Sequence, residues 1–312
     1  MEELCDADVY DAQDEETYPI YGRGERKLDD IEVASDLVVP MIKTMAFALG
    51  LVWAIDVTTA LSDQSGSSLL SLWGFDGTYD ATPIPSDGWL KHFLQLVKWE
   101  VLRTVPKIAP HIPRIYYRYF EVPKAGNVNR TIFDGSSAKT HWDKPGRMGL
   151  PTMAAVIEVL TMLPHATYVC ADIRNWFHVI PLPEGVKHLL SCTVKDDPEG
   201  RIFELNTTPM GTPHAPRHAQ ICGWILVMNS APKGLHPDLS GCKDDPPPFV
   251  WFFDEKGERM AVAFLWLDNV TIACRRAIHA RWFASNLKAM QKGESPQTSC
   301  GITWKELTCS ED

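Results

Sequence analysis

Two aspartates in this chain stand where apolar, strand-forming runs end, and carboxylates in such positions could bind metal ions. Asp172 follows the run 167–171, and Asp268 lies between the apolar runs 260–267 and 270–274. Mg²⁺ and Mn²⁺ prefer carboxylate oxygens, and a pair of such ions about 3.5–4 Å apart catalyses phosphoryl transfer. Either aspartate alone is more typical of an ordinary turn or cap. Together they predict a two-metal site if the fold brings the strand ends side by side.

The elements that must position these aspartates follow from periodicity. The two apolar runs around Asp268 predict a β-hairpin whose two-residue turn is Asp268 and Asn269, with Asn269 at a positive φ. Helices are expected at 152–163, 214–228 and 277–290, a strand at 167–171, and a strand pair on either side of 195–200. This mixture of helices and hairpins indicates an α+β fold rather than a regular βαβ alternation.

The N-terminal half has less regular patterns. We expect an apolar helix at 44–61, a turn-rich loop at 62–87, a helix at 89–105 and a hairpin formed by 114–121 and 131–133. Asp56 lies inside the apolar stretch, and a charge at membrane depth costs roughly 2.5–3.5 kcal/mol, so a buried helix is favoured over a membrane span. The aromatic residues Tyr116, Tyr117, Tyr119 and Phe120 could stack on nucleic-acid bases, but packing in a core is the favoured interpretation.

The net charge of −10 is concentrated at one end of the chain. Residues 1–36 carry 13 acidic and three basic side chains, and the other 276 residues carry 27 of each sign. A protein that binds nucleic acid normally has a patch of basic side chains on its surface, and a domain with a net negative charge would lack one. Because the acidity belongs to a segment with the composition of a disordered tail, the neutral body is still compatible with a nucleic-acid partner.

Cysteine and histidine usage points to an intracellular protein. The eight cysteines form no short Cys-x-x-Cys pair, and the acidic start lacks the basic region of a secretory signal, so we expect a reduced cytoplasmic or nuclear setting. His214, His218 and Cys222 recur every four residues and would share one helix face. Zinc needs a fourth ligand and none is evident, so a structural role is favoured.

Five segments resemble, in order along the chain, the polymerase motifs of retroelement reverse transcriptases. They are the fingers motif at 122–134, motif A at 172–182, motif B at 208–220, motif C at 266–269 and motif D at 277–306. The resemblance implies the fingers and palm of a right-hand polymerase, with an antiparallel palm sheet backed by helices and the thumb absent. It assigns 37–150 to an N-terminal region and fingers, and 151–312 to a palm that contains a fingers return segment near 183–210 and an insertion at 233–250.

The resemblance also implies roles for individual residues. The activity would be RNA-directed DNA polymerisation with Mg²⁺ or Mn²⁺, on an RNA or DNA template with its primer and with deoxynucleoside triphosphates. Asp172 and Asp268 would hold the metal beside Asn269, and Lys305 would protonate pyrophosphate. The implied substrate-binding residues are Lys124 and Arg130 at the triphosphate, Phe177 as a steric gate against the ribose 2′-hydroxyl, and Ile173, Met210, Gly211 and Gln220 around the nucleotide and template. Gly211 has no Cβ and would let the backbone approach the substrate.

Three features depart from the family pattern. Motif C has Trp266 and Asn269 where the family usually has tyrosine and a second aspartate, and 96 positions separate Asp172 from Asp268. The chain also reaches Asp312 about where a primer grip should begin. The alternative hypothesis is therefore an inactive, truncated remnant that at most binds nucleic acid. Within the family, motifs A and B are similar to those of retrotransposons related to the long-terminal-repeat elements, including the DIRS, Ngaro and VIPER group.

Overall fold

The structure is a computed structural model, which describes residues 27–31, 38–79, 82–83, 85–86, 89–105, 112–124, 126–240, 245–292 and 299–310. Its α-helices are α1 (Val38–Leu49), α2 (Val52–Ser62), α3 (Ser67–Leu72), α4 (Leu90–Lys98), α5 (Met153–Thr161), α6 (Glu184–Lys187), α7 (Ala215–Asn229) and α8 (Ala277–Ala289). Short 3-10 helices occupy Ser136–His141 and Trp176–Val179. The predicted α+β class is confirmed.

The strands form three sheets. They are β1 (Lys27–Leu28), β2 (Pro85–Ser86), β3 (Leu102–Val105), β4 (Ile115–Tyr116), β5 (Arg118–Lys124), β6 (Val128–Asp134), β7 (Thr167–Ile173), β8 (Leu190–Val194), β9 (Ile202–Leu205), β10 (His236–Pro237), β11 (Phe249–Phe253), β12 (Arg259–Trp266), β13 (Asn269–Cys274) and β14 (Trp304–Cys309). The largest sheet has the order β10-β11-β12-β13-β7-β14 and is antiparallel throughout. It places β7 between β13 and β14.

The two faces of this six-stranded sheet differ in what covers them. Alternate residues of β7, namely Val169, Ala171 and Ile173, belong to the main hydrophobic core together with residues of α7 and α8. A smaller core, which includes Val159 of α5, covers part of the opposite face. Because successive side chains of a strand point to opposite faces, Asp172 lies on the face away from α7 and α8.

The other two sheets join distant parts of the chain. Strands β8 and β9 form one sheet with β2, β3 and β4, which precede them in the chain. In the third sheet, β5 and β6 form the predicted hairpin, and β1 runs parallel to β6. Of the aromatic residues between 116 and 120, Tyr116, Tyr117 and Tyr119 are buried, whereas Phe120 is exposed. Core packing is thus confirmed for the three tyrosines.

Two predicted helices end earlier than the sequence pattern indicated. Residues 44–61 are divided between α1 and α2, which meet at Gly50 with a φ of 66°. The pattern 89–105 is helical only in α4, because Glu100 has a φ of 57° and the chain continues into β3, which pairs with β9. Within the described parts of the chain, none of the helices is both long and apolar enough to cross a bilayer.

Three further expectations need correction or lie partly outside the described residues. Residues 62–87 were expected to be loop but contain α3 and β2. Most of the acidic segment 1–36 lies outside the described residues, yet Lys27–Leu28 forms β1 with Leu28 buried, because β6 offers an open edge. In the expected insertion 233–250, β10 extends the six-stranded sheet at its edge.

Candidate active site

Asp172 lies on β7, between β13 and the edge strand β14, on the open face of the six-stranded sheet. Its cross-strand partners are Asn269 on β13 and Glu306 on β14, so all three side chains lie on one face. Asn269 and Glu306 are exposed, as is Cys170 two residues before Asp172. The surface around Asp172 is therefore polar and accessible to a substrate.

The turn that carries Asp268 differs by one residue from the sequence-based expectation. Trp266 pairs with Asn269, so the two turn residues are Leu267 and Asp268, and Leu267, not Asn269, has the positive φ of 60°. The backbone N–H of Ile173 donates to the carbonyl oxygen of Asp268 at 2.9 Å. This bond fastens the turn that carries Asp268 to the end of β7, beside Asp172.

Gln220 on α7 holds the same turn from the helix side. Its side-chain Nε2 donates to the Leu265 carbonyl at 2.9 Å, and the Leu267 N–H donates to its Oε1 at 2.8 Å. The side chain is 0% exposed. Gly223, one turn further along α7, has no room for a Cβ, which would lie 2.8 Å from Leu265 Cδ2. The expected contact of Gln220 with substrate is therefore corrected, because its amide is buried and bonded to the hairpin backbone.

The electrostatics of Asp268 reflect its neighbours. Burial raises its pKa, and the negative charge of Asp172 raises it further. Its own backbone N–H, a 2.9 Å hydrogen bond donated by Asn269 Nδ2 and the positive charge of Arg130 act in the opposite direction. The two carboxylates are thus close enough to repel each other, and Arg130 is close enough to compensate.

Lys305 forms an ion pair with Asp172. Its Nζ lies 2.5 Å from Asp172 Oδ2, and the register of β14 against β7 shifts between Trp304 and Glu306, which makes Lys305 the extra residue of a bulge. A β-bulge redirects a side chain that regular pairing would place elsewhere. The hydrogen bond to Asp172, followed by the charges of Asp172 and Asp268, raises the pKa of Lys305.

The donor set fits a divalent cation that also takes ligands from its substrate. Across the described ranges, no group of three or more His, Cys, Asp or Glu side chains is arranged to hold a metal ion. Two repelling carboxylates, Asp172 and Asp268, would be stabilised by a cation between them, and Mg²⁺ commonly takes one or two protein carboxylates with substrate phosphates completing its shell. Lys305 supplies the positive charge at Asp172.

Two of the residues expected in the nucleotide pocket are enclosed by protein. Phe177 lies in the 3-10 helix after β7 and is 9% exposed, while the neighbouring Trp176 donates its Nε1 hydrogen to the Ala219 carbonyl at 3.0 Å. The side chain of Phe177 is thus almost wholly enclosed in the core. Ile173 is 1% exposed and belongs to the core under α7 and α8. Its expected side-chain contact with substrate is corrected, since alternation points it away from the face of Asp172.

Lys124 and Arg130 lie on one face of the β5–β6 hairpin. Val122 pairs with Arg130 and Lys124 with Val128, so the two basic residues are neighbours along that face. Arg130 is exposed, and its charge acts on Asp268. Lys124 forms an ion pair with Asp29, a residue of the acidic segment 1–36 that was expected to be a disordered tail. A phosphate at Lys124 would have to displace this carboxylate.

The turn of motif B packs against protein. A Cβ on Gly211 would lie 1.4 Å from the carbonyl oxygen of Phe133, and Thr212 Oγ1 donates to the hydroxyl of Tyr117 at 3.2 Å. The glycine is therefore required by the contact with the end of β6, which corrects the expectation that it serves an approach to substrate. Met210 is half-buried beside it.

The face formed by His214, His218 and Cys222 is structural. Trp73 Nε1 donates to His218 Nε2 at 3.3 Å, and the Trp73 ring stacks on both histidines. His214 Nε2 contacts the Asp143 carbonyl at 2.9 Å. Burial lowers the pKa of His218 to about 3 and raises that of Cys222 to about 12, so both side chains are neutral.

Sequence reasoning missed Glu306 as a neighbour of the site. It is exposed, pairs with Asp172 across the strands and contributes to the raised pKa of Lys305. The strand-like run 304–309 was the available indication, but alternation alone would place Glu306 on the same face as buried Trp304. The bulge at Lys305 brings Glu306 opposite Asp172 instead.

Comparisons with known proteins identify no family. No family model matches the chain, and no curated protein matches its sequence. Among solved structures it is similar to the native prototype foamy virus protease-reverse transcriptase, with a TM-score of 0.44 and 14% identity over 74% of this chain and 26% of that one. The chain thus spans about a quarter of the length of that protein. A likeness at this level assigns neither family nor activity.

Proposed function

We propose that this chain is the fingers and palm of an RNA-directed DNA polymerase of a retrotransposon related to the long-terminal-repeat elements. The observation that carries the proposal is the junction of β7 with the β12–β13 hairpin, where Asp172 and Asp268 repel each other beside Lys305 and Arg130. Two carboxylates with two nearby cations on an open sheet face suit a reaction between a nucleophile and a polyphosphate.

In this proposal, each residue near the junction has one role. Asp172 and Asp268 would hold Mg²⁺ or Mn²⁺, which when bound activates the primer hydroxyl and neutralises the triphosphate. Arg130 would pair with phosphate oxygens, for which its planar guanidinium is suited. The raised pKa of Lys305 keeps it protonated as a proton donor to pyrophosphate. Phe177 would exclude a ribose 2′-hydroxyl from the nucleotide site.

The domain boundaries follow the same proposal. Residues 37–150 would be the N-terminal region and fingers, with 183–210 returning to them, and 151–312 would be the palm. The sheet shared by β8, β9 and the strands of 85–116 supports the return segment. The proposed partners are an RNA or DNA template with its primer and deoxynucleoside triphosphates, and template contacts would be largely independent of sequence.

Asn269 favours a second candidate, an inactive remnant that binds nucleic acid without extending a primer. A second aspartate at this position would add a carboxylate to the open face, whereas Asn269 donates its N–H to Asp268 and occupies Oδ1.

Primer extension separates the two candidates. A labelled DNA primer on an RNA template is incubated with deoxynucleotides and Mg²⁺ or Mn²⁺, using the full chain, Asp172→Asn, Asp268→Asn and the control Glu255→Gln at an exposed position of the β11–β12 loop. The polymerase proposal expects extension by the full chain and the control and its loss in both aspartate variants. Absence of extension by the full chain, with retained template binding, would favour the remnant.

A further inference from the structure

The outward side of α8 is basic and carries an exposed tryptophan. Between Arg275 and Lys292 the sequence has five basic residues and no acidic one. We call the α8 basic surface the set Arg275, Arg276, Arg281, Lys288 and Lys292 with Trp282 and Ile278, all of them exposed. Trp282 is 46% exposed and Ile278 38%. This surface is unusual in a chain whose net charge is −10.

Helical geometry places the central members of this surface on one stripe. Ile278, Arg281, Trp282 and Lys288 follow spacings of three, four and seven residues, whereas Ala280, Phe283 and Leu287 are buried against the sheet. At about 1.5 Å per residue, α8 from Ala277 to Ala289 extends over roughly 18 Å, with Arg275 and Arg276 before it and Lys292 after it. The basic side chains are thus distributed along a ridge rather than gathered at one point.

Stability of the helix accounts for Lys288 in the last turn, where the helix dipole favours a cation, but not for the two arginines at the other end. Arg275 and Arg276 stand at the N-terminus of α8, where the dipole disfavours cations, and the first turn has no acidic residue. Asp254 and Arg276 interact electrostatically, which offsets part of the charge at this end. Trp282 contacts the ring of His279 but is 46% exposed, so it loses about half of the gain in free energy that burial of an aromatic ring provides. A ligand that supplies negative charge and a flat apolar surface would satisfy both features.

The α8 basic surface is separate from the candidate active site. Helix α8 packs on the face of the sheet that includes Ile173 and Val270, and Asp172 lies on the opposite face. The outward side of α8 is therefore a different surface from the one that carries Asp172 and Asp268.

We propose that the α8 basic surface binds single-stranded nucleic acid, with Arg275 and Lys288 contacting phosphates and Trp282 stacking on a base. Phosphates spaced along a strand complement a ridge of cations, and bases stack on exposed aromatic rings without regard to sequence. An anionic membrane fits less well, because the apolar side of α8 is buried in the core and cannot enter a bilayer. The proposal is independent of polymerase activity.

Salt-dependent binding tests the role of the charges. The affinity of the full chain for a fluorescein-labelled 20-nucleotide oligothymidylate is measured by anisotropy at salt concentrations of about 50–200 mM, a range over which phosphate contacts weaken strongly. Each lost phosphate contact on a single strand reduces the slope of log K against log salt by about 0.7, so Arg275→Gln/Lys288→Gln should reduce it by about 1.4. The control Lys98→Gln/Lys256→Gln removes two exposed charges elsewhere and should leave the slope unchanged.

Trp282→Ala tests the role of stacking. It should weaken binding about fivefold or more at constant slope, since a stacked base is worth roughly 1–3 kcal/mol. The control Phe47→Ala removes an exposed ring on α1 and should have no effect. Circular dichroism checks that the variants are folded, and ultraviolet cross-linking with mass spectrometry should recover a peptide of α8.

Three results would overturn the proposal. One is that Arg275→Gln/Lys288→Gln leaves the slope of log K against log salt unchanged. Another is that the control Lys98→Gln/Lys256→Gln changes this slope by the same amount. The third is tight heparin binding with no effect of Trp282→Ala on the oligonucleotide, which would indicate a general polyanion surface. Asp172→Asn should bind the oligonucleotide through α8 as the parent does, so loss of polymerase activity and loss of this site are distinguishable.

Discussion

The ammonium of Lys305 lies 2.5 Å from Oδ2 of Asp172, between β7 and the edge strand β14. At the β14 bulge, the two residues Lys305 and Glu306 stand opposite the single residue Asp172. The lysine is more than half exposed, so water screens the pair and its contribution to stability is small. Its importance lies in the charge that it places beside Asp172 and Asp268.

Replacement of Lys305 by glutamine should tighten binding of a divalent cation. A cation that binds Asp172 must compete with the ammonium, so we expect the Kd for Mn²⁺ to fall by roughly threefold to tenfold, because one unit charge at about 4 Å is worth on the order of 1 kcal/mol in water. Electron paramagnetic resonance titration of free Mn²⁺ measures it, and Lys256→Gln is the control. An unchanged or larger Kd would show that Lys305 does not oppose cation binding.

Replacement of Gln220 by leucine should destabilise the fold. The substitution leaves the Leu265 carbonyl and the Leu267 N–H without their bonds in a buried place, which costs about 1–3 kcal/mol for each group. We expect the free energy of unfolding in urea to fall by roughly 2–5 kcal/mol. Gln95→Leu on α4 makes the same chemical change at a half-buried position and should cost less than about 1 kcal/mol. Equal losses in the two variants would contradict the assigned bonds.

Gly211→Ala should be among the most damaging single substitutions. Its Cβ would lie 1.4 Å from Phe133 O, a backbone atom that cannot move without displacing β6. We expect a loss above about 4 kcal/mol, or no folded protein. Gly146→Ala is the matched control, because its Cβ would meet the flexible Arg217 side chain at 2.9 Å. Normal thermal unfolding of Gly211→Ala would show that the motif B turn is not held against β6.

Stability should fall as the pH is lowered from neutrality, and His218 should contribute to the fall. Burial lowers the pKa of His218 to about 3 and that of His178 to about 4, while an unfolded histidine titrates near 6.5. Between these values the unfolded chain binds protons that the folded chain does not, so acid favours unfolding by up to about 1.4 kcal/mol per pH unit for each histidine. For each histidine, the loss of stability stops growing once the pH is below the pKa of that histidine in the folded chain.

Urea unfolding at several pH values between 7 and 4.5 measures this effect. His218→Gln should reduce the dependence of stability on pH, and His236→Gln, at an exposed position of β10, should not. A pH dependence identical in the parent and His218→Gln would mean that His218 is protonated in the folded state.

Local patterns predicted most of the elements around the site, and tertiary bonds decided the rest. The apolar run 167–171 predicted β7, whereas β14 was not predicted, and Thr152 caps α5 by accepting from Ala155 N, as its side chain allows. The turn at Leu267 was not predictable from composition, because an aliphatic residue disfavours a positive φ. It is held there by bonds to Gln220 and from Ile173 to Asp268, which are distant in sequence.

Contacts between residues that are distant in sequence also explain why the roles expected of Gly211 and Gln220 were corrected. Both residue types are compatible with substrate contact, and only the packing of α7 and β6 shows that the protein itself occupies their surroundings. Helix α4 is a similar case, since the helical pattern continues past Glu100 but pairing with β9 draws 102–105 into a strand.

The position of β14 beside β7 has a consequence for biosynthesis. Lys305 and Asp172 are 133 residues apart, so during translation β7 emerges long before β14, its second neighbour in the sheet. Long-range pairings of this kind form slowly, and an unpaired strand edge is prone to pair with other chains. Until β14 docks, one edge of β7 is open and Asp172 lacks its lysine partner, so we expect nascent chains to be prone to aggregation through this edge during that interval.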